Sequence, residues 1–155
     1  RQLLLDGIAD DLDCRLSVAH LVDGGGLVFQ IFIDREDVKQ SMQVIIQVAK
    51  EVSVGRNFVI FPEGTRSKQG NVVGEFKGGS FKAAMKAKAP IVPVALIDSF
   101  KPFDTKSLEK VTVQVHILEP LLYDQYKEMK TVEIAEEVRK RIVETIETQK
   151  NKKRR

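Results

Sequence analysis

Hydrophobic positions along this chain switch between two periods. Residues 27–33 are apolar apart from Gln30, a short run that predicts a buried strand. From Asp34 the period lengthens, and Val38, Met42, Ile45, Ala49 and Val52 recur at steps of four and three, on one face of an amphipathic helix. Asp34, Glu36 and Asp37 stand at its start, where negative charge complements the helix dipole, and Gly55 is placed to end it. A short strand over 57–61 is broken by Pro62-Glu63-Gly64. Residues 80–88 predict a helix with Phe81, Ala84 and Met85 inward and Lys82 and Lys86 outward. Two further strands follow, 91–97 and 111–118. The second alternates, with Val111, Val113, Val115 and Ile117 on one side and Thr112, Gln114 and His116 on the other. A closing helix over 132–148 would bury Ala135, Val138, Ile142 and Ile146.

This order of strands and helices predicts an α/β fold, an αβα sandwich around a mixed, largely parallel sheet. No repeat or linker divides it, so residues 1–149 are expected to form one domain, followed by a basic tail over 150–155.

Composition narrows the function without naming it. At 155 residues and 43% hydrophobic, the chain can bury one core. Its apolar runs fall far short of the roughly 20 residues that cross a bilayer, and no signal-peptide pattern opens it. The lone Cys14 has no partner in the chain for a disulfide, which fits a reducing compartment. A net charge of +3 does not call for nucleic acid. Lys150, Lys152, Lys153, Arg154 and Arg155 nevertheless cluster at the end, where each could gain about 1 kcal/mol at an anionic membrane surface. A solvated terminus is the other reading of the same cluster.

Candidate chemistry gathers after Phe61. Ligands of open α/β sheets sit beyond the carboxyl ends of strands. There Pro62 and Gly64 frame the carboxylate of Glu63, with Thr65, Arg66 and Ser67 directly behind. A carboxylate can accept a hydroxyl proton in a hydrogen bond, and a guanidinium fork suits phosphate oxygens. Lys77-Gly78-Gly79-Ser80 precedes the next helix, whose free N–H groups attract anions. A Pro-Glu-Gly alone would be a strand-ending turn with a surface Arg-Glu pair.

The longer string Phe61-Pro62-Glu63-Gly64-Thr65-Arg66-Ser67, followed by the Pro-containing strand Ile91-Val92-Pro93-Val94-Ala95-Leu96, resembles the third and fourth sequence blocks of the glycerolipid acyltransferases. The likeness is to the 1-acyl-sn-glycerol-3-phosphate (lysophosphatidate) acyltransferase type. Phe32-Ile33-Asp34-Arg35 is similar to the second block, although the family's glycines before the arginine are displaced to Gly24 to Gly26. The resemblance implies that Arg35, Glu63, Gly64, Thr65, Arg66 and Lys77 bind the glycerophosphate and that Pro93 shapes the acyl-donor side. It implies acyl-CoA or acyl carrier protein as co-substrate. Because the donor brings its own thioester, no metal or organic cofactor is expected. A peripheral position at the cytoplasmic face of a membrane, in phospholipid biosynthesis, follows from the same likeness.

The family's first block, a histidine followed after four intervening residues by an aspartate, is not found. That histidine takes the proton of the attacking hydroxyl, and the aspartate orients it. His20 is followed by Asp23 at a shorter spacing, with Gly25 where the aspartate should be; His116 lies on the polar side of a late strand and is most simply a surface histidine. His20 and Asp23 are therefore the catalytic candidates only as a rearranged pair. With Arg1 rather than Met at the start, the expectation is a piece whose catalytic block lies elsewhere, or a form without catalysis. The alternatives are acylation of glycerol 3-phosphate or another lyso-lipid, and a non-catalytic module for anionic lipid head groups.

Overall fold

The computed structural model describes residues 15–22, 26–34, 38–65, 69–104 and 110–153, with side chains from Met42 onward apart from 103–104 and Lys153. The expected alternation of strands and helices is present: β1 (Arg15–Val22), β2 (Gly26–Asp34), α1 (Val38–Ser53), β3 (Asn57–Ile60), a 3-10 turn (Gly78–Phe81), α2 (Lys82–Ala87), β4 (Val94–Ile97), α3 (Lys101–Asp104), β5 (Gln114–Ile117), α4 (Tyr123–Tyr126) and α5 (Thr131–Lys153). The class is α/β.

Strand pairing departs from the expected largely parallel sheet. Every ladder among the described residues is antiparallel, in a three-stranded sheet of order β2-β1-β3 and a two-stranded sheet of β4 and β5. The physical reason is β1, for which the sequence offered no separate expectation. It forms a hairpin with β2 (Leu16 opposite Ile33, Ala19 opposite Gln30) and lies between β2 and β3, which run parallel to each other across it.

α1 forms where its period predicts. Gly55 ends it at φ 90°, a conformation that costs glycine nothing, and its N–H donates to the Val52 carbonyl. Val44 and Val48 pack with Ala83 of α2, and Ile45, Val52, Phe58 and Ile60 lie against them. α2 is buried on two sides: Ala83 meets α1, while Met85, together with Phe81 just before the helix, joins a second cluster.

That second cluster is built on α5. Ile134, Ala135, Val138, Ile142 and Ile146 pack against Phe76, Phe81, Ala95, Ile97, Leu121 and Tyr126. α5 is opened by Glu133, whose Oε2 accepts the Lys130 N–H at 2.7 Å. It continues through Lys150 and Lys152, so these exposed cations sit on a helix and not on an irregular tail.

The second sheet corrects two expectations. The Pro-containing strand is regular only from Val94. Before it, Ile91 bridges Leu121, and Pro93, which has no N–H, enters the ladder through its carbonyl alone, accepting from the Leu118 N–H at 3.0 Å. The polar side of β5 is also its sheltered side. Ala95 lies opposite His116 and Ile97 opposite Gln114, and residues directly opposite share a face. α5 covers that face. His116 is thus half-buried rather than a surface histidine, with its Nε2 3.2 Å from Gln114 Oε1. Val94, Leu96, Val115 and Ile117 form the other face, with Ile117 75% exposed.

Candidate functional site

The string that ends β3 folds as a tight turn. The Gly64 N–H donates to the Phe61 carbonyl at 3.1 Å, with Pro62 and Glu63 between them. Proline after the first residue and glycine at the fourth are the preferences of the commonest β-turn. Gly64 is buried and has φ 69°, which a side chain would strain.

The segment after this turn is tied back to it at two places and to the rest of the fold at two more. The Lys77 N–H donates to the Pro62 carbonyl at 2.8 Å. Glu63 Oε2 accepts the Gly74 N–H at 2.9 Å. A Cβ on Gly74 would stand 2.8 Å from that oxygen, so any larger residue would make the carboxylate shift. From the opposite side Arg139 of α5 donates through Nε to the Gly74 carbonyl at 2.7 Å and through Nη2 to the Val73 carbonyl at 3.0 Å. Further out, Asn71 and Asp98 bond reciprocally: Asn71 Nδ2 donates to Asp98 Oδ1 at 2.9 Å, and the Asp98 N–H donates to Asn71 Oδ1 at 2.8 Å. Asp98 follows β4 at φ 62° and also pairs with Lys101 at 2.9 Å.

Gly78 brings the 3-10 turn against α5, so closely that a Cβ there would stand only 3.2 Å from backbone atoms of Thr131 and Val132. Ser80 in that turn is buried, and its hydroxyl has no hydrogen-bond partner among the described residues. Thr65 and Lys77 are exposed beside these tethers. Glu63, Gly64, Thr65 and Lys77 are therefore brought together.

The remaining expected residues fall differently. Pro93 is buried at the amino end of β4, whereas Asp98 ties the loop at the carboxyl end. Asp23, Arg35 and Arg66 lie outside the described residues. His20 is placed by its backbone: it stands opposite Phe58 of β3 and Phe29 of β2. Phe58 precedes Phe61 by three residues, about 10 Å of extended strand. The register sets His20 toward the amino end of β3, away from the turn.

Sequence reasoning missed Asn71, Gly74, Asp98 and Arg139. The Asn-Val-Val-Gly stretch carries turn-forming residues that mark a loop. Arg139 has no local signal, since it occupies one of many charged positions on a long helix. Among the described residues no group of three or more His, Cys, Asp or Glu side chains could hold a metal ion, and no helix is long and apolar enough to cross a membrane.

An α/β domain with a Phe-Pro-Glu-Gly turn at a strand's carboxyl end, within the sequence string Phe-Pro-Glu-Gly-Thr-Arg-Ser, points to an acyltransferase-like class, and the comparisons agree. Residues 25–97 match the family model described as Acyltransferase. The chain is 38% identical over 88 residues to the 1-acyl-sn-glycerol-3-phosphate acyltransferase of Helicobacter pylori, covering 57% of this chain and 37% of that protein. It is 31% identical over 123 residues to the protein of that name from Borreliella burgdorferi, covering 76% and 48%. The crystal structure of the 1-acyl-sn-glycerophosphate (LPA) acyltransferase from Thermotoga maritima superposes with a TM-score of 0.53 at 29% identity, over 66% of this chain and 44% of that one. Just under half of the chain, residues 25–97, is thus similar to the acyltransferase family. The chain spans less than half the length of these relatives. The matched region includes Glu63, Gly74 and Pro93 and excludes His20, Asp23 and Arg139.

Proposed function

We propose that this chain carries the acceptor-binding part of an acyltransferase that moves a fatty acyl group from acyl-CoA or acyl carrier protein to the sn-2 hydroxyl of 1-acyl-sn-glycerol 3-phosphate. The observation that carries this reading is the tethered turn at the carboxyl end of β3, in a chain whose relatives bear that enzyme's name. Arg35, Arg66 and Lys77 would neutralise the phosphate. Gly64 and Thr65 would line its approach. Glu63, with Oε2 engaged by Gly74, would offer Oε1 to the glycerol. Pro93 would shape the acyl-donor side. Lys150 and Lys152 on exposed helix would meet anionic lipid at the cytoplasmic face of the membrane.

In the reaction the acceptor hydroxyl oxygen attacks the thioester carbonyl carbon. A C–O bond forms, the C–S bond breaks, and the thiolate leaves with the bonding pair. The hydroxyl proton must pass to a base, a contribution commonly worth 10²- to 10⁴-fold. The thioester supplies the activation, so the chemistry requires no metal or organic cofactor.

The backbone register of His20 favours a second reading, in which these residues bind an anionic head group without turnover. The two separate in one assay: thioester release from acyl-CoA with lysophosphatidate, for this chain and its His20→Ala variant. The expected result is little or no release by either, alongside measurable binding of lysophosphatidate. Robust release abolished by His20→Ala would instead establish a rearranged His20–Asp23 pair. Release that survives the substitution would assign the base to another residue.

A further inference from the structure

We infer that Arg139, on the C-terminal helix and outside the matched region, is the positioning residue for the Glu63 carboxylate, acting through the Val73–Gly74 peptide group. This rests on the acceptor-binding reading above for its functional consequence but not for its geometry. The peptide group that joins Val73 to Gly74 has one N–H and one C=O. Its N–H is donated to Glu63 Oε2 at 2.9 Å. Its C=O, that of Val73, accepts from Arg139 Nη2 at 3.0 Å. A carboxylate and a guanidinium are thus joined through a single peptide dipole aligned between them. Each charge polarises the group toward the other, and hydrogen bonds in such a chain strengthen one another.

The second donor fixes the direction. Arg139 Nε reaches the next carbonyl along, that of Gly74, at 2.7 Å, so the guanidinium grips two successive carbonyls and sets the rotation of the peptide between them. Lysine has the charge but a single donor point and cannot impose that rotation. Gly74 completes the device, since a Cβ there would stand 2.8 Å from the Glu63 oxygen. Arg139 is itself held by burial of its neighbours Val138 and Ile142 in the α5 cluster. α5 therefore transmits the rigidity of the larger core to a turn that is not part of it. Glu63 keeps one carboxylate oxygen for a ligand, and Arg139 determines where that oxygen stands.

Amide hydrogen exchange at Gly74, read by NMR in the full chain, tests the connection directly. Arg139→Met keeps the aliphatic stem, Arg139→Lys keeps the charge, and Glu63→Gln weakens the acceptor. Each is expected to speed Gly74 exchange by roughly tenfold or more, while the amides of Ala95 and Ile97 keep their wild-type rates. The Arg139→Met/Glu63→Gln double variant should exchange no faster than the product of one substitution alone, because both break one chain of bonds. Unchanged Gly74 exchange in Arg139→Lys and Arg139→Met, or fully additive effects in the double variant, would overturn the inference. A loss of protection shared by Ala95 and Ile97 would overturn it too, by making Arg139 a general support of the core. Calorimetric titration with glycerol 3-phosphate separates the functional part. Affinity should fall about tenfold or more in both Arg139 variants. A wild-type chain that binds no glycerol 3-phosphate would sink the acceptor-binding reading, while Gly74 exchange would still decide the role of Arg139.

Discussion

The two hydrophobic clusters hold the two ends of one functional segment by different means. Phe58 and Ile60, leading into the turn, lie against the α1 cluster and remain half-buried. Phe76 and Phe81, leaving it, are buried in the cluster on α5, where Tyr126, Ile134 and Ala95 are wholly withdrawn from water. The segment between these ends, Pro62 to Lys77, meets the clusters, among its described residues, through Val73 and Phe76 alone, both on the α5 side. It is held by the Lys77 N–H to Pro62 carbonyl bond, by the Glu63–Gly74–Arg139 chain and by the Asn71–Asp98 pair. Burial is non-directional and fixes a segment only to within the tolerance of packing. Hydrogen bonds to charged groups fix individual atoms. The candidate site, on the seam between two cores, therefore depends on the second kind of restraint.

The sharpest way to break this comparison is to truncate one apolar side chain on each side. Ile134→Ala should cost about 2–5 kcal/mol of unfolding free energy, because the site is fully enclosed and cannot collapse. Ile45→Ala on half-buried ground in α1 should cost roughly 1–2 kcal/mol. Equal costs in urea melts would refute the claim that α5 carries the firmer core.

Next in size are the polar restraints. Glu63→Ala should weaken glycerol 3-phosphate binding by roughly 10- to 150-fold, the worth of one charge-assisted hydrogen bond. Calorimetry would read it, with a thermal midpoint that moves less than in Ile134→Ala. A large stability loss with unchanged affinity would leave Glu63 as a turn residue only.

Tyr126 joins the α5 cluster to α2. Its hydroxyl donates to the Ala89 carbonyl and lies 3.3 Å from that of Ala84. Tyr126→Phe should cost about 1–3 kcal/mol, since a part-buried acceptor loses its donor. Burial, and then the neighbouring Tyr123, push the Tyr126 hydroxyl above its ordinary value of 10.0. The folded chain therefore holds this proton more tightly than the unfolded chain does. The contribution is complete below the ordinary value and is lost as pH rises through the folded one. Wild type should lose more stability than Tyr126→Phe as pH rises through and beyond the ordinary value of 10.0. Parallel pH dependence of the two would show that the tyrosine does not titrate with folding.

The smallest effect concerns the end of α1. Gly55→Ala meets no atom within 4 Å, so its cost is the backbone conformation alone, about 1 kcal/mol at φ 90°. A thermal shift of the same size as that of Ile134→Ala would mean that the α1 side is as tightly constrained as the α5 side.

Much of this was legible in the sequence, and the reasons are local. The steps of three and four from Val38 to Val52 dictate α1, and Pro62 followed by Gly64 dictates a turn whatever surrounds it. The apolar stripe from Ala135 to Ile146 marks the buried face of α5. The likeness of Phe61 to Ser67 to an acyltransferase block pointed to the same family whose model residues 25–97 match. β1 was not legible, because a central strand paired on both edges is defined by its neighbours.

What only the tertiary structure decided is which partners those local elements take. The alternation of β5 separates an apolar from a polar side, but α5 settled that the side bearing Gln114 and His116 turns inward. The string after β3 names a carboxylate. Its position is set by a glycine eleven residues on and by an arginine on the last helix. Periodicity and turn chemistry act over a few residues and are written in the chain. The pairing of Glu63, Gly74 and Arg139 spans about half its length and exists only once two separate cores have brought those segments together.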